Sequence, residues 1–176
     1  MRHASILLTG LALIGVPVIA ADDPPKPPPE VKMFEELTGT WDEEVTNKAT
    51  EWMPKAGRQT SVTKRTLALG GMFLKSEGTF EPSKNEFVAL VSYDPFNKVY
   101  RQYYFDSFGT MPRGLQRGTY DEKTRTFTWN ETDEGGNKSV CKHKIIDKDN
   151  SEWTLVVTSA EGKVMLDMTG KCKRKK

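Results

Sequence analysis

Histidine and cysteine, which often carry nucleophilic and metal chemistry, are scarce in this sequence. The 176 residues include two histidines and two cysteines. No H-E-x-x-H or paired C-x-x-C pattern occurs, so the sequence predicts no metal site. The glycine pair Gly70-Gly71 lies between two strand-like runs, whereas phosphate-binding loops join a strand to a helix. These absences exclude the common metal and nucleotide sites, and we predict no catalytic residues.

A dominant charge of one sign is also missing. The chain has 26 basic and 24 acidic side chains. Five of the basic residues crowd into positions 171–176, and one more, Arg2, belongs to the leader described below. The remaining body has 20 basic and 24 acidic groups, so it lacks the excess of positive charge that binds nucleic acid. We therefore predict no nucleic-acid partner.

A hydrophobic run long enough to span a membrane is the third absence. The apolar segment from Ile6 to Ile19 is interrupted by glycine and proline and falls short of the roughly 20 residues that a span needs. It follows Arg2 and ends in small residues at Ala20 and Ala21, as in a secretory signal peptide. We expect residues 1–20 to be removed and the mature protein to be exported, periplasmic or extracellular, with no membrane span.

Proline marks the boundary between the leader and a folded domain. Residues 21–30, ADDPPKPPPE, contain five prolines, which is typical of a polyproline II linker. Residues 31–37 then show a short helical pattern, with Phe34 and Leu37 on one face. We assign 31–176 to a single domain, and nothing in the sequence indicates its oligomeric state.

Short strand-like runs fill the rest of the chain. Runs rich in Val, Thr, Tyr, Phe and Trp alternate with turn residues, and each link is short enough for a hairpin. Ten antiparallel strands in one open sheet would expose two long edges, which favours closure. The fold class is therefore all-β, an up-and-down antiparallel β-barrel of about ten strands after a short N-terminal helix, with a two-sheet sandwich as the alternative. The predicted strands are 40–49, 58–69, 72–81, 86–93, 99–107, 112–120, 125–132, 138–147, 152–159 and 163–173.

The entry to the first strand resembles that of a known superfamily. A short helix that leads into Gly39-Thr40-Trp41 is similar to the calycins, the lipocalins and their relatives. The resemblance implies that Trp41 plugs a barrel floor covered by the helix, with Gly39 allowing close approach of the helix. Four segments more closely resemble the bacterial calycin-like family known as domain of unknown function 1579. They are LTGTW (37–41), LGGMFL (69–74), YDPFNKVYRQYYFDSFG (93–109) and GTYD (118–121).

A more distant resemblance leads to the nitrobindin-like haem barrels. In that family a histidine on the late strands binds iron. His143, the only histidine after the leader, lies on predicted strand eight, and strands nine and ten have none. We therefore predict no haem and no other cofactor.

The predicted function is binding of a small apolar or amphipathic ligand inside the barrel. Small barrels hold one ligand or are filled by side chains. We assign the ligand-binding residues to Trp41 at the floor and to Tyr100, Gln102, Tyr104 and Asp106, which share one face of strand five. Both faces of that strand carry aromatic residues, so the sequence does not decide which one points inward.

Two other functions remain open. An isomerase or hydrolase would need ionisable groups such as Asp106, Arg117 and His143 to converge in the cavity, and a structural barrel would bind nothing. Cys141 and His143 share a strand face, yet a core thiol and an ordinary imidazole are the simpler interpretation. The predicted meander puts Cys141 and Cys172 near opposite barrel ends, which favours free thiols over a disulfide.

Overall fold

The computed structural model describes residues 26–107 and 116–176. The predicted signal peptide (1–20), residues 21–25 of the predicted linker and the first part of predicted strand six, 112–115, lie outside these ranges. A 3-10 helix (Pro29–Val31) and helix α1 (Phe34–Leu37) precede the strands. The strands are β1 (Gly39–Asn47), β2 (Gly57–Ala68), β3 (Phe73–Glu81), β4 (Asn85–Asp94), β5 (Val99–Asp106), β6 (Gln116–Asp121), β7 (Thr126–Thr132), β8 (Lys138–Ile145), β9 (Asn150–Thr158) and β10 (Val164–Arg174).

The ten described strands form one closed barrel. Each strand pairs antiparallel with its sequence neighbours, and β1 closes the barrel against β10. This confirms the predicted up-and-down barrel and excludes the sandwich. The predicted strand ends agree within two residues, apart from the start of β6, because hairpin residues such as Asp94 and Asp121 mark each turn locally. Within the described ranges, no helix is long and apolar enough to cross a membrane.

Helix α1 closes one end of the barrel, which we call the floor. Phe34 and Leu37 are buried there, as their spacing predicted. They pack with aromatic side chains from the nearest strand ends, including Tyr100 and Phe127. A four-residue helix is not stable alone, so this apolar contact is what holds it in place. The opposite end of the barrel, where β5 ends at Asp106, we call the mouth.

Trp41 joins the helix to the first strand. The side chain is 1% exposed, and its Nε1 donates a hydrogen bond to the Leu37 carbonyl at 3.0 Å. The guanidinium groups of Arg65 and Arg174 lie over the ring, 4.9 and 4.4 Å from its centroid. Arg174 also donates hydrogen bonds to main-chain carbonyls at the end of α1. The predicted position of Trp41 at the floor is therefore confirmed.

Gly39 has a different role from the one predicted. Its φ is +118°, a backbone conformation that residues with a side chain rarely adopt. A Cβ at this position would lie 2.6 Å from Nη1 of Arg174. The close approach is therefore to the arginine of the last strand and not to the helix. The glycine makes room for the Arg174 guanidinium between strand and helix.

Candidate functional site

The strand register determines which face of β5 points into the barrel. Paired residues on adjacent strands share a face, and Tyr104 and Gln102 pair with the buried residues Ala89 and Val91 of β4. The inward face therefore carries all four predicted residues of β5, namely Tyr100, Gln102, Tyr104 and Asp106. Its outward face carries Tyr103 and Phe105, which are 40% and 41% exposed. The assignment of a ligand to the inward residues stays a prediction.

The five predicted residues do not form one site. Trp41 and Tyr100 belong to the packed floor, where the Tyr100 hydroxyl donates to the Glu30 carbonyl at 2.8 Å. Tyr104 stacks on Phe87 higher in the barrel, with ring centroids 5.8 Å apart. Asp106 ends β5 at the mouth. The set therefore runs the full length of the barrel.

A buried carboxylate that the sequence reasoning did not select lies between floor and mouth. Glu43 alternates with Trp41 and Val45 on the inward face of β1 and is only 7% exposed. Its Oε2 accepts hydrogen bonds from Ser61 at 2.8 Å and Thr63 at 3.4 Å. Its Oε1 accepts from Nε1 of Trp153 and from Sγ of Cys172, the latter at 3.4 Å. Four donors from three strands therefore hold this carboxylate.

A buried cation lies beside the carboxylate. Arg65 on β2 is 7% exposed, and its Nη2 donates to Sγ of Cys172 at 3.8 Å. The Cys172 thiol thus lies between the Arg65 guanidinium and Glu43. Nη1 of Arg65 is buried and has no hydrogen-bond partner among the described residues. Such an atom is rare in a folded protein, because burying an unpaired donor is unfavourable.

Two more buried polar atoms near Arg65 have no hydrogen-bond partner in the described part of the chain. They are Oγ of Ser151 on β9 and Nε2 of His143 on β8. Ser151 pairs with Cys172 across the sheet, and its hydroxyl lies near enough to the thiol to offset part of the rise in the pKa of Cys172, although the two atoms do not meet the geometry of a hydrogen bond. His143 pairs with Trp153, so it lies on the same inward face. We call Glu43, Arg65, His143, Ser151 and Cys172 the inner polar cluster.

Burial determines the protonation of this cluster. Loss of solvent contact, together with the charge of Arg65, lowers the pKa of His143 to about 3. Burial, with Glu43 nearby, raises the pKa of Cys141 to about 12 and also that of Cys172 to about 12. At neutral pH the cluster therefore contains a neutral imidazole and the protonated thiol of Cys172, and the thiol of Cys141 outside it is protonated as well. Neither thiol is activated as a nucleophile.

The cysteines are free, as the strand map favoured. Their separation differs from the expected one, because they do not lie at opposite barrel ends. Cys141 pairs with Leu155, and Cys172 pairs with Ser151, four positions away on β9. Four residues along a strand amount to about 13 Å, which exceeds disulfide reach.

The remaining polar candidates have structural roles or lie apart. Asp94 accepts hydrogen bonds from its own hairpin and from Arg101, which lowers the pKa of Asp94. Arg117 is exposed on the outer face of β6, so it does not converge with the inward-facing Asp106 and His143. In the described chain no group of three His, Cys, Asp or Glu residues is arranged to hold a metal ion.

Two clefts open at the surface of the described part of the chain. The larger, of about 890 Å³, is lined by outward-facing charged residues such as Asp42 and Lys173 and also by Glu43, Ser151 and Cys172 of the inner polar cluster. A cleft of about 340 Å³ lies beside the N-terminal helices, between Tyr93, Tyr100 and Tyr120. The larger cleft therefore adjoins the cluster, in which Arg65, His143 and Ser151 each have a buried atom without a hydrogen-bond partner among the described residues. We therefore take the cluster as the candidate site.

Comparison with protein families agrees with this architecture. A family model described as a protein of unknown function (DUF1579) matches residues 26–174. The chain belongs to the DUF1579 family. The match covers the helices and all ten strands of this DUF1579 protein, and it confirms the resemblance found in the sequence. No curated protein matches the chain significantly.

Solved structures show that the DUF1579 barrel occurs in distant proteins. Rv2717c from M. tuberculosis has a TM-score of 0.63 at 10% identity, over 86% of this chain and 100% of that one. A DUF3598 family protein of unknown function from Nostoc punctiforme has a TM-score of 0.55 at 9% identity, over 81% of this chain. The DUF1579 chain spans about half of that protein, 49%.

A phycobiliprotein lyase shares the barrel as well. The S-type lyase CPES from Guillardia theta has a TM-score of 0.51 at 14% identity, over 82% of this chain and 91% of that one. At these identities, the similarity extends to the fold alone.

Proposed function

We propose that this protein binds a small amphipathic molecule inside its barrel. The observation that carries the proposal is the set of three buried polar atoms without partners, Nη1 of Arg65, Nε2 of His143 and Oγ of Ser151. Buried polar groups are almost always hydrogen-bonded, and a bound molecule would supply the missing partners. Ligand pockets typically combine an apolar wall with a few such groups.

The wall above the cluster supports an amphipathic ligand and not a fully polar one. Val45 and Val157 point inward there and are buried, at 1% and 3% exposure. Phe87 and Tyr104 stack on the opposite wall. A molecule with one polar end would place that end on the cluster and its apolar part against these side chains. Gln102 and Asp106 would line the remaining wall.

We further propose that the protein is exported, with residues 1–20 as the signal peptide. The support is the leader pattern itself, a basic start, an apolar run and small residues before Ala21. Amino-terminal sequencing of protein from the host envelope tests this proposal. A mature terminus at or near Ala21 is the expected result, and an intact Met1 would contradict it.

Native mass spectrometry of protein purified from its own host tests the binding proposal. We expect a mass above that of the chain, which disappears after denaturation and releases an organic molecule. A second preparation, unfolded and refolded without lipid or extract, is the control and should have the bare mass. If the native protein has only the mass of its own chain, the barrel is structural and the proposal fails.

A further inference from the structure

Arg65 is a buried cation with no ion-pair partner. In the described part of the chain no carboxylate lies within 4.0 Å of its guanidinium, although nine other ion pairs are present. Its neighbours are the Trp41 ring and the Cys172 thiol. A buried charge is normally paired, because burial without a counter-charge is very unfavourable. An anionic acceptor at Nη1 would supply this counter-charge.

Glu43 does not form an ion pair with Arg65. Its carboxylate is held by Ser61, Thr63, Trp153 and Cys172, and the thiol separates it from the guanidinium. The two charges attract each other through the low-dielectric interior, but Nη1 of Arg65 has no acceptor. Nη1 is therefore the guanidinium nitrogen that remains for a further acceptor.

The neighbouring groups suit an oxygen acceptor of this kind. The Ser151 hydroxyl is an unused donor, and the neutral imidazole of His143 has an unused ring nitrogen. A guanidinium fork matches the two oxygens of a carboxylate better than a single carbonyl. From this geometry, and building on the proposed binding function, we infer that the ligand is an amphipathic carboxylic acid whose carboxylate binds Arg65 and Ser151, with His143 beside it.

Three probes that share one chain distinguish the acid from neutral ligands. Decanoate, methyl decanoate and decan-1-ol have the same apolar chain and differ in the polar end. Trp41 contacts Arg65, and Trp153 contacts Glu43, so binding is followed by tryptophan fluorescence. We expect decanoate to bind about 10- to 100-fold more tightly than the ester or the alcohol, the usual range for a charge-assisted hydrogen bond.

Substitution of the cation tests the assignment to Arg65. Arg65→Met retains the length and apolar stem of the side chain, and we expect it to remove the preference for decanoate. Lys64→Met is the matched control, because Lys64 is the exposed neighbour on β2 and points outward; its preference should equal that of the wild type. If Arg65→Met does not fold, Ser151→Ala replaces it, with an expected several-fold loss of affinity for decanoate alone.

The outcomes separate this inference from the proposed function. Equal binding of all three probes, unchanged in Arg65→Met, would overturn the carboxylate inference and leave amphipathic binding intact. A preference for decanoate that persists in Arg65→Met would overturn the assignment to this residue. If no probe binds, the inference fails, and the proposed function is then decided by the molecule retained in the native protein.

Discussion

Two buried serines in the barrel offer a direct test of the inner polar cluster. Ser61 and Ser151 are 3% and 2% exposed, and both point inward. Ser61 donates to Oε2 of Glu43 at 2.8 Å, whereas Oγ of Ser151 has no partner. The same change, serine to alanine, therefore removes a satisfied hydroxyl at one position and an unsatisfied one at the other.

The expected effects have opposite signs. A hydrogen bond to a charged acceptor contributes about 1.5–3 kcal/mol, so Ser61→Ala should lower the free energy of unfolding by about 2 kcal/mol. An unsatisfied buried hydroxyl is unfavourable by about 1–3 kcal/mol, and the void left by one oxygen offsets part of the gain. Ser151→Ala should therefore raise the free energy of unfolding by about 1 kcal/mol. For a domain of this size, that is a Tm increase of about 2–4 °C.

Urea unfolding of the refolded, ligand-free proteins measures both values through tryptophan fluorescence. Calorimetry supplies Tm independently. Equal m-values in the three proteins are required, because a change in m would indicate an altered unfolded or native state. If Ser151→Ala destabilises the protein by 1 kcal/mol or more, its hydroxyl has a partner in the ligand-free state, and the reasoning from unpartnered atoms is wrong.

Three further predictions follow from the same region. Because burial raises the pKa of Cys141 and of Cys172 to about 12, iodoacetamide at pH 8 should label neither thiol in the native protein and both in urea; rapid native labelling of either thiol, seen by mass spectrometry, would contradict this. The pKa of His143 is lowered to about 3 in the folded state, below the 6.5 of an unfolded chain, so its contribution to stability is complete above pH 6.5 and declines as the pH falls toward 3. In NMR spectra of the protein expressed without residues 1–20, the resonance of His143 should stay unshifted from pH 7.5 to 5, and titration near 6.5 in the folded protein would refute the prediction. A Cβ at Gly170 would overlap the Trp153 indole that donates to Glu43, so Gly170→Ala should lower the free energy of unfolding in urea by about 1–3 kcal/mol, and an unchanged value would contradict the prediction.

The strands were predictable because their signals are local. Alternating apolar and polar residues occupy consecutive positions, and turn-forming residues such as Asp94 and Asp121 act on the backbone two or three residues away. The short links then leave antiparallel pairing as the simple solution. The helix was predictable for the same reason, since Phe34 and Leu37 are one turn apart.

The candidate site was predicted less well, because its contacts join distant parts of the chain. The alternation of Trp41, Glu43 and Val45 already indicated that Glu43 points inward, and this signal was not used. The contact between Arg65 and Cys172 spans 107 residues, and that between Glu43 and Trp153 spans 110. No local pattern indicates that these side chains meet.

Local sequence was sufficient for the all-β class, the hairpin order and the helix that leads into Trp41, because each depends on residues within one or two turns of chain. The closed barrel alone decided which face of β5 points inward, since both faces carry aromatic residues and only burial against β4 distinguishes them. The closed barrel also decided the hydrogen bonding of the interior. Glu43 accepts hydrogen bonds from four donors, whereas Nη1 of Arg65, Nε2 of His143 and Oγ of Ser151 have no partner among the described residues. Hydrogen bonding in the interior depends on distances between side chains on different strands, and these distances are fixed only when β1 has paired with β10 and the barrel is closed.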